Sequence, residues 1–179
     1  MPDLEPAAPA ATLRPARPDD AATIASLIRE LAAYEQLEHE VEGTPTDFAQ
    51  HLFGDRPAAE VILAEVAGEP VGFALFFTNF STFRARPGVY LEDLFVRPEH
   101  RGRGVGKALI AAVAQVAVAR DAGRLEWAVL NWNTPAIDFY RSLGARPMTE
   151  WTVNRVADES LRRLAESSPL KLTTEANPR

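Results

Sequence analysis

A glycine-rich segment in the middle of the chain has the residue types and the spacing of an anion-binding loop. It reads Arg-Gly-Arg-Gly-Val-Gly-Lys over residues 101–107, after an apolar stretch at residues 89–96 and before an alanine-rich stretch. Backbone amides are exposed at a helix N-terminus, and glycine lets a phosphate approach the backbone closely. Arg101, Arg103 and Lys107 add positive charge, so the segment predicts a pyrophosphate ligand. The alternative is a glycine-rich loop that binds nothing, because short motifs recur by chance.

Two common nucleotide-binding motifs do not fit this loop. The P-loop needs glycine at position 101 and serine or threonine at position 108, where this chain has Arg101 and Ala108. The dinucleotide fingerprint needs glycine at position 107, where this chain has Lys107. A nucleoside triphosphate enzyme is therefore disfavoured, and a phosphate-bearing ligand of another class is expected.

Two carboxylates interrupt the apolar stretch that leads into the loop. Glu92 and Asp93 lie within Val-Tyr-Leu-Glu-Asp-Leu-Phe-Val at residues 89–96. A charge inside such a strand is costly unless it is paired or used. Regular alternation predicts that the two side chains lie on opposite faces of the sheet. Glu92 is a candidate base, and Asp93 is expected to bind backbone or a neighbouring arginine. The alternative for the two acids is one buried ion pair and one surface acid.

The elements that must position these residues follow from the hydrophobic periodicity and from turn residues. The expected strands and helices alternate, and Gly68-Glu69-Pro70 marks a hairpin turn. Strands are predicted at residues 12–17, 61–66, 71–77, 89–96, 125–130 and 151–156; helices are predicted at residues 18–37, 46–53, 107–122, 134–143 and 158–166. Helix starts are indicated by Pro18-Asp19-Asp20, Thr46-Asp47 and Thr134-Pro135.

This order of elements predicts an α/β chain of mixed α+β character. A mixed, mostly antiparallel sheet with helices on both faces fits it, whereas an all-parallel doubly wound sheet and a sandwich do not. The hairpin around Gly68 must be antiparallel, and the strand–helix–strand unit over residues 89–130 is expected to be parallel and right-handed. One domain is predicted over residues 12–166, with loose tails at residues 1–11 and 167–179.

Composition excludes several classes of function. The 179 residues contain no cysteine, so disulfides, thiolate metal sites and a cysteine nucleophile are excluded. The three histidines lack metal-ligand spacing, so no metal is expected: His39, His51 and His100. The net charge is −6 with no basic cluster beyond the loop, which predicts no nucleic-acid partner and mildly favours cationic small substrates. The N-terminal residues do not have the pattern of a signal peptide, and no apolar run has membrane-spanning length, so no membrane association and a cytoplasmic location are expected.

The sequence resembles a known family from about residue 13 to residue 164. The pattern Arg-Gly-x-Gly-x-Gly at residues 101–106 resembles the acetyl-CoA motif of the GNAT superfamily of N-acetyltransferases. Other stretches resemble its polyamine (spermidine/spermine-type) branch and bacterial relatives: Leu-Ala-Ala-Tyr-Glu at 31–35, Val-Gly-Phe-Ala at 71–74, Tyr-Leu-Glu-Asp-Leu-Phe-Val at 90–96, Trp-Asn-Thr-Pro-Ala-Ile-Asp-Phe-Tyr at 132–140, and Gly-Ala at 144–145.

The resemblance implies a fold and a way of binding acetyl-CoA. It implies the GNAT fold, with a V-shaped splay between the parallel strands predicted at residues 89–96 and 125–130. The pantetheine arm is then expected in the splay and the pyrophosphate on the loop, and a homodimer is expected. The implied acetyl-CoA-binding residues are Leu94, Phe95, Val96, Arg101, Gly102, Arg103, Gly104, Val105, Gly106, Lys107, Asn133, Pro135, Ala136 and Tyr140.

The resemblance also implies catalytic and acceptor-binding residues. On spacing alone, Tyr140 is a core aromatic residue of a helix; the resemblance places it at the position of the general acid that protonates the leaving thiolate. Glu92 matches the base, acting through water. Tyr34 and Glu35 match positions that line the amine pocket, although exposed helix-end residues are the alternative, and Glu150 is expected at the border of the acceptor site.

Two departures from the polyamine pattern affect the expected acceptor. Polyamine-specific members carry an acid in the loop after the Gly-Phe-Ala strand, where residues 78–83 of this chain have no carboxylate. They carry another acid just before Trp-Asn, where this chain has Asn131. A smaller primary amine, such as an amino acid or a lysine analogue, is therefore expected alongside diamines and polyamines. The alternatives are a protein or peptide N-acetyltransferase and a non-catalytic acetyl-CoA sensor; the presence of both Glu92 and Tyr140 argues against the sensor.

Overall fold

Alternating apolar segments form a five-stranded sheet in the computed structural model, which describes residues 11–170. The strands are β1 (Thr12–Pro15), β2 (Glu60–Val66), β3 (Glu69–Ser81), β4 (Arg86–Val96) and β5 (Leu125–Glu126). They are ordered β1-β2-β3-β4-β5; the first four pair antiparallel, and β5 pairs parallel with β4. The predicted mixed, mostly antiparallel sheet is confirmed.

Helices precede, connect and follow the strands. They are α1 (Ala21–Glu35), α2 (Pro45–Phe53), α3 (Val105–Ala119), α4 (Thr134–Ser142) and α5 (Asp158–Glu166). The start of α2 differs from the prediction, because Thr44, not Thr46, accepts the hydrogen bond from the Asp47 amide. Pro45 then occupies the first turn, where a missing N–H costs nothing.

The described chain divides into two compact units, one up to Leu130 and one from Asn131 onward. The first unit contains the sheet and α1 to α3, and the second contains α4 and α5. Apart from residue 11 and residues 167–170, the predicted tails lie outside the described residues. The single domain expected over residues 12–166 stays a prediction.

The core of the first unit lies between the sheet and helices α1 and α2. Nine buried residues form this cluster, from α1, α2 and strands β2 to β4: Ile24, Leu27, Leu31, Leu52, Val61, Leu63, Phe73, Leu75 and Phe95. On β3, Ala74 and Phe76 alternate with the cluster residues, face the other side of the sheet, and are also buried. Helix α3 packs on β2, β3 and β4. Strand β3 is therefore covered on both faces.

Two predicted strands differ from the structure. Strand β5 ends at Glu126 instead of Leu130, and within the described part of the chain residues 151–156 form no strand. Trp151 and Val153 are 69% and 83% exposed. An apolar segment becomes a strand only where another strand supplies backbone hydrogen-bond partners, and local residue types do not reveal whether such a partner is present.

Candidate active site

Strand β4 changes its pairing register at Glu92. Asp93 pairs with Leu75 of β3 while Leu91 pairs with Phe76, so Glu92 is the extra residue of a β-bulge. Leu75 and Phe76 lie on opposite faces of β3, and their partners Asp93 and Leu91 therefore do as well. The regular alternation that predicted opposite faces for Glu92 and Asp93 does not hold across this bulge.

The bulge brings Asp93 close to other carboxylates. Asp93 is largely buried, and burial, followed by the charges of Glu92 and Glu35, raises its pKa to about 6. Glu35 is the last residue of α1, and its own pKa is raised by burial. The charged groups that act on Asp93 are thus both acids, in place of the arginine that was expected. An ammonium ion beside these groups would relieve the cost of ionising them.

Glu35, Glu92 and Asp93 are called the carboxylate group below. Tyr34 directly precedes Glu35 of this group and contacts Arg101, the first residue of the glycine loop. The guanidinium carbon of Arg101 is 4.4 Å from the centre of the Tyr34 ring and 5.6 Å from that of Phe95. Arg101 Nε also donates a hydrogen bond of 2.7 Å to the carbonyl oxygen of Val96. Arg101 therefore links the C-terminal end of β4 to the end of α1.

A second arginine fixes the point where the chain leaves β4. Arg97 Nε and one terminal nitrogen each donate a 2.8 Å hydrogen bond to the two carboxylate oxygens of Glu30 on α1. Its other terminal nitrogen donates to the Pro70 carbonyl oxygen at 2.9 Å. Such a two-point ion pair is geometrically specific. It anchors the start of the glycine loop to α1 and to the start of β3.

The glycine loop has the backbone conformation of an anion site. Gly102 and Gly104 have φ values of +73° and +81°, and Gly104 is the N-cap of α3. A glycine has no side chain with which to cap the first amides of the helix, so these amides are available to a ligand. Val105 is 4% exposed and attaches the helix start to the core. The loop backbone is thus held at its end while its glycines stay exposed.

The remaining sequence-predicted residues belong to the second unit. Asn133, not Thr134, is the N-cap of α4, and its side chain accepts a 3.3 Å hydrogen bond from the Ala136 amide. Asparagine is as good a cap as threonine and reaches the third helical amide in the same way. Tyr140 is half-buried on α4 and its ring lies 5.3 Å from that of Phe139. Glu150 is exposed in a turn.

The structure also reveals polar residues that sequence reasoning missed. Asn79 on β3 and Glu126 on β5 are joined by a 3.3 Å hydrogen bond, and Arg124 Nε lies 2.8 Å from the same Glu126 oxygen. Tyr90, the β4 partner of Glu126, has its pKa raised by burial and by the charges of Glu92 and Glu126. Charged residues at 124 and 126, at the start of an otherwise apolar predicted strand, were the available signal.

Two classes of feature are absent from the described part of the chain. Among residues 11–170, no group of three or more His, Asp or Glu side chains is arranged to hold a metal ion. None of the helices in this range has both the length and the apolar character needed to cross a membrane.

Comparison with known proteins gives matches over most of the chain. The profile described as the Acetyltransferase (GNAT) family matches residues 24–145. Thialysine N-epsilon-acetyltransferase of Bos taurus is 39% identical over 164 residues, covering 86% of this chain and 96% of that protein. An L-ornithine N5-acetyltransferase of Arabidopsis thaliana is 32% identical, covering 83% of this chain and 85% of that protein. An integron cassette protein from the mobile metagenome of V. cholerae has a similar structure, with a TM-score of 0.74 at 25% identity, covering 88% of this chain and 98% of that one.

Proposed function

Because the chain belongs to the acetyltransferase (GNAT) family, we propose that it transfers the acetyl group of acetyl-CoA to a primary amine of a small molecule. The carboxylate group formed by Glu35, Glu92 and Asp93 carries this proposal. Three acids around one bulge, one of them with a pKa of about 6, favour a cationic acceptor. The two curated relatives named above are acetyltransferases of thialysine and of L-ornithine, each an amino acid with a side-chain amine.

Glu92 removes the proton that prevents the acceptor from reacting. A primary amine is mostly ammonium at neutral pH and has no free electron pair, so a nearby base must take a proton before attack. Glu92 accepts it through a water molecule. The β-bulge supports this role, since bulges occur next to active sites and redirect side chains.

Bound acetyl-CoA supplies a thioester, whose carbonyl carbon the neutral amine attacks directly. The new bond joins the amine nitrogen to that carbon, and the carbon–sulfur bond breaks. Tyr140 donates its phenolic proton to the departing sulfur and so acts as the general acid. The nitrogen loses two protons in all: Glu92 accepts the first before attack and later releases it to solvent. The second leaves the nitrogen as the carbon–sulfur bond breaks and restores the Tyr140 phenol, which has given its own proton to the sulfur.

Acetyl-CoA fits the chain at the glycine loop. The uncapped amides at the start of α3 and the positive φ of Gly102 and Gly104 support a pyrophosphate on residues 101–107. The backbone of residues 94–96, beyond the point where β5 stops pairing with β4, would hold the pantetheine arm. The family resemblance implies four further acetyl-CoA-binding residues, all in the second unit: Asn133, Pro135, Ala136 and Tyr140.

The acceptor lies beside β4, at the carboxylate group formed by Glu35, Glu92 and Asp93. Tyr34 and Glu35 at the end of α1 line its pocket. The family resemblance also assigns Glu150, in the second unit, to acceptor binding. Assembly as a homodimer and a cytoplasmic location are part of the proposal and rest on the family resemblance and on the sequence.

The test is an acetyl-transfer assay with purified protein. Release of CoA and mass-spectrometric detection of the acetylated product are measured with L-ornithine, thialysine, L-lysine, putrescine, spermidine and short peptides. The proposal expects turnover on one or more of the small amines. Turnover confined to peptides would assign the chain to protein or peptide acetylation. Tight binding of acetyl-CoA without turnover on any acceptor would identify a sensor.

A further inference from the structure

A second charged group lies on the same face of the sheet as the proposed reacting end. Glu126 pairs in register with Tyr90, and the Val89 amide donates a 3.0 Å hydrogen bond to the Arg124 carbonyl oxygen. Because side chains alternate along a strand, Arg124 and Glu126 share the face of Tyr90. Asp93 lies on that face too, since its partner Leu75 and the Tyr90 partner Phe77 are two residues apart on β3.

Arg124 and Glu126 present opposite charges side by side. Arg124 Nε is 2.8 Å from Glu126 Oε2, and both side chains are 36% exposed, so a ligand can reach the pair. Asn79 Nδ2 donates to the same Glu126 oxygen at 3.3 Å. The pair is therefore held from one side by β3 and remains open to solvent on another.

The cluster contains hydrogen-bonding atoms that the protein does not satisfy. Within residues 11–170, Arg124 Nε and Asn79 Oδ1 are buried without a hydrogen-bond partner, the former because its contact with Glu126 is not aligned as a hydrogen bond. Buried polar atoms are almost always paired. These two atoms lie inside the cluster, whereas the exposed parts of the Arg124 and Glu126 side chains are the groups that a ligand can reach.

Gly88 makes room for this cluster. A Cβ atom at position 88 would overlap Asn79 Oδ1 and would lie 3.1 Å from Arg124 Cγ. Without a side chain at this position, Asn79 reaches across β4 from β3 to Glu126 on β5. The glycine thus serves a three-strand polar contact.

We propose that Arg124 and Glu126 form a subsite for the head group of an α-amino acid whose side-chain amine is the acetyl acceptor. This inference rests on the proposed function, in which the reacting amine lies at Glu92. The Arg124 guanidinium binds the α-carboxylate and the Glu126 carboxylate binds the α-ammonium, two charge-assisted contacts to groups on one carbon.

The length of the site agrees with such an acceptor. Two residues of a strand, from Tyr90 to Glu92, span ~7 Å. An extended amino-acid side chain that ends in an amine has the same order of length. A diamine or a polyamine has no carboxylate that Arg124 could bind. This chain also lacks an acid in residues 78–83 and has Asn131 in place of another, so it lacks two acids that could bind the far end of a longer cation.

Three acceptors of equal chain length test the subsite. L-ornithine has both head-group charges, putrescine lacks the carboxylate, and 5-aminopentanoate lacks the α-ammonium. For the wild-type protein we expect kcat/KM to be highest for L-ornithine, by ~10–100-fold over each analogue, the usual effect of one charge-assisted hydrogen bond. Equal kcat/KM for the three acceptors would overturn the subsite while leaving the acetyltransferase activity intact.

Two substitutions separate the two contacts. Arg124→Gln is expected to lower kcat/KM for L-ornithine by ~10–100-fold and to change it for putrescine by less than about threefold. Glu126→Gln is expected to lower kcat/KM for both L-ornithine and putrescine, with little change for 5-aminopentanoate. Equal losses on all three acceptors in either variant would indicate a structural role and contradict the proposal.

Controls cover folding and general charge effects. Arg120→Gln breaks another arginine–glutamate ion pair, in which Arg120 contacts Glu60 at 2.6 and 2.7 Å, and should leave the ratio of the three acceptors unchanged. Arg124→Lys keeps the charge if Arg124→Gln does not fold, and it should retain part of the preference for L-ornithine over putrescine. Absence of acetylated product from every amine would contradict the proposed function itself, a result distinct from loss of discrimination.

Discussion

The glycine loop and the carboxylate group, the two proposed binding regions, lie close together along the chain but differ in the physical means by which each would recognise its ligand. In the loop, the binding groups are backbone amides, and the glycines at 102 and 104 are exposed with no heavy atom within 4 Å of a would-be Cβ. In the carboxylate group, the binding groups are side chains, and burial together with like charge raises the pKa of Asp93 to about 6. The loop depends on backbone conformation, whereas the carboxylate group depends on which charges the fold brings together.

This difference predicts different responses to substitution. A change of side chain in the loop acts through φ, because the helix start must keep its amides exposed. A change in the carboxylate group acts through charge and protonation, and its effect should vary with pH. Substitutions that separate these two responses test the comparison.

The largest effect is expected from the substitution Tyr140→Phe. Tyr140 belongs neither to the glycine loop nor to the carboxylate group. Loss of the general acid should lower kcat by ~10²–10⁴-fold while the affinity for acetyl-CoA stays nearly constant. Single-turnover kinetics and calorimetric titration of acetyl-CoA measure the two quantities. Wild-type turnover in the variant would remove Tyr140 from the mechanism.

Glu92→Gln comes next and probes the carboxylate group. The rate should fall by ~10²–10³-fold near neutral pH and less at high pH, where the free amine is abundant. The measurement is the pH profile of kcat/KM, with Glu69→Gln, an exposed acid at the start of β3, as the matched control. A loss that is the same at every pH would show that Glu92 is not the base.

Asp93→Asn should change stability in a pH-dependent way. The folded pKa of about 6 lies above the ordinary value of 3.8, so the folded state binds this proton more tightly than the unfolded state. The wild-type free energy of unfolding therefore falls as pH rises from about 4 to about 6, and the variant loses this dependence. Relative to wild type, the variant should gain on the order of 2 kcal/mol over that interval. Urea unfolding at several pH values measures it, and a constant difference between the two proteins would contradict the burial of an uncompensated acid.

The smallest effect is expected in the loop, from Gly104→Ala. Alanine at positive φ costs about 1–2 kcal/mol, and the strained loop should raise KM for acetyl-CoA by ~10-fold with little change in KM for the amine. Gly68→Ala is the matched control, since Gly68 has a φ of +83° in the β2–β3 turn and equal space around it. Both variants should lose similar stability in thermal melts. A rise in KM for acetyl-CoA in both, or in neither, would show that the loop conformation has no specific role in binding.

Local signals were sufficient for the loop and for most elements. The glycine spacing at residues 101–106 led to the family, and family membership is confirmed by the profile match and by the curated relatives. Strands β2 to β4 were predicted because each has a strong apolar pattern. In addition, the hairpin turn at Gly68 requires β2 and β3 to be antiparallel neighbours.

Long-range pairing limited the rest of the prediction. The bulge at Glu92 arises from the register between β3 and β4, which no local pattern reveals. The same reason explains why β5 stops at Glu126 and why residues 151–156 form no strand in the described chain. The shift from Thr134 to Asn133 as the cap of α4 is a smaller error, because both residue types cap helices well.

The sequence by itself determined the class of chemistry. Glycine and arginine types at fixed spacing predict a phosphate-binding helix start, because such a site depends on backbone conformation within a few residues. Only the tertiary structure decided which charges meet. It placed Glu35 from α1 near Asp93 on β4, and it joined Asn79, Arg124 and Glu126 from three segments of chain. Electrostatic energies depend on distance and burial, which strand register and helix packing set and which residue order alone does not contain.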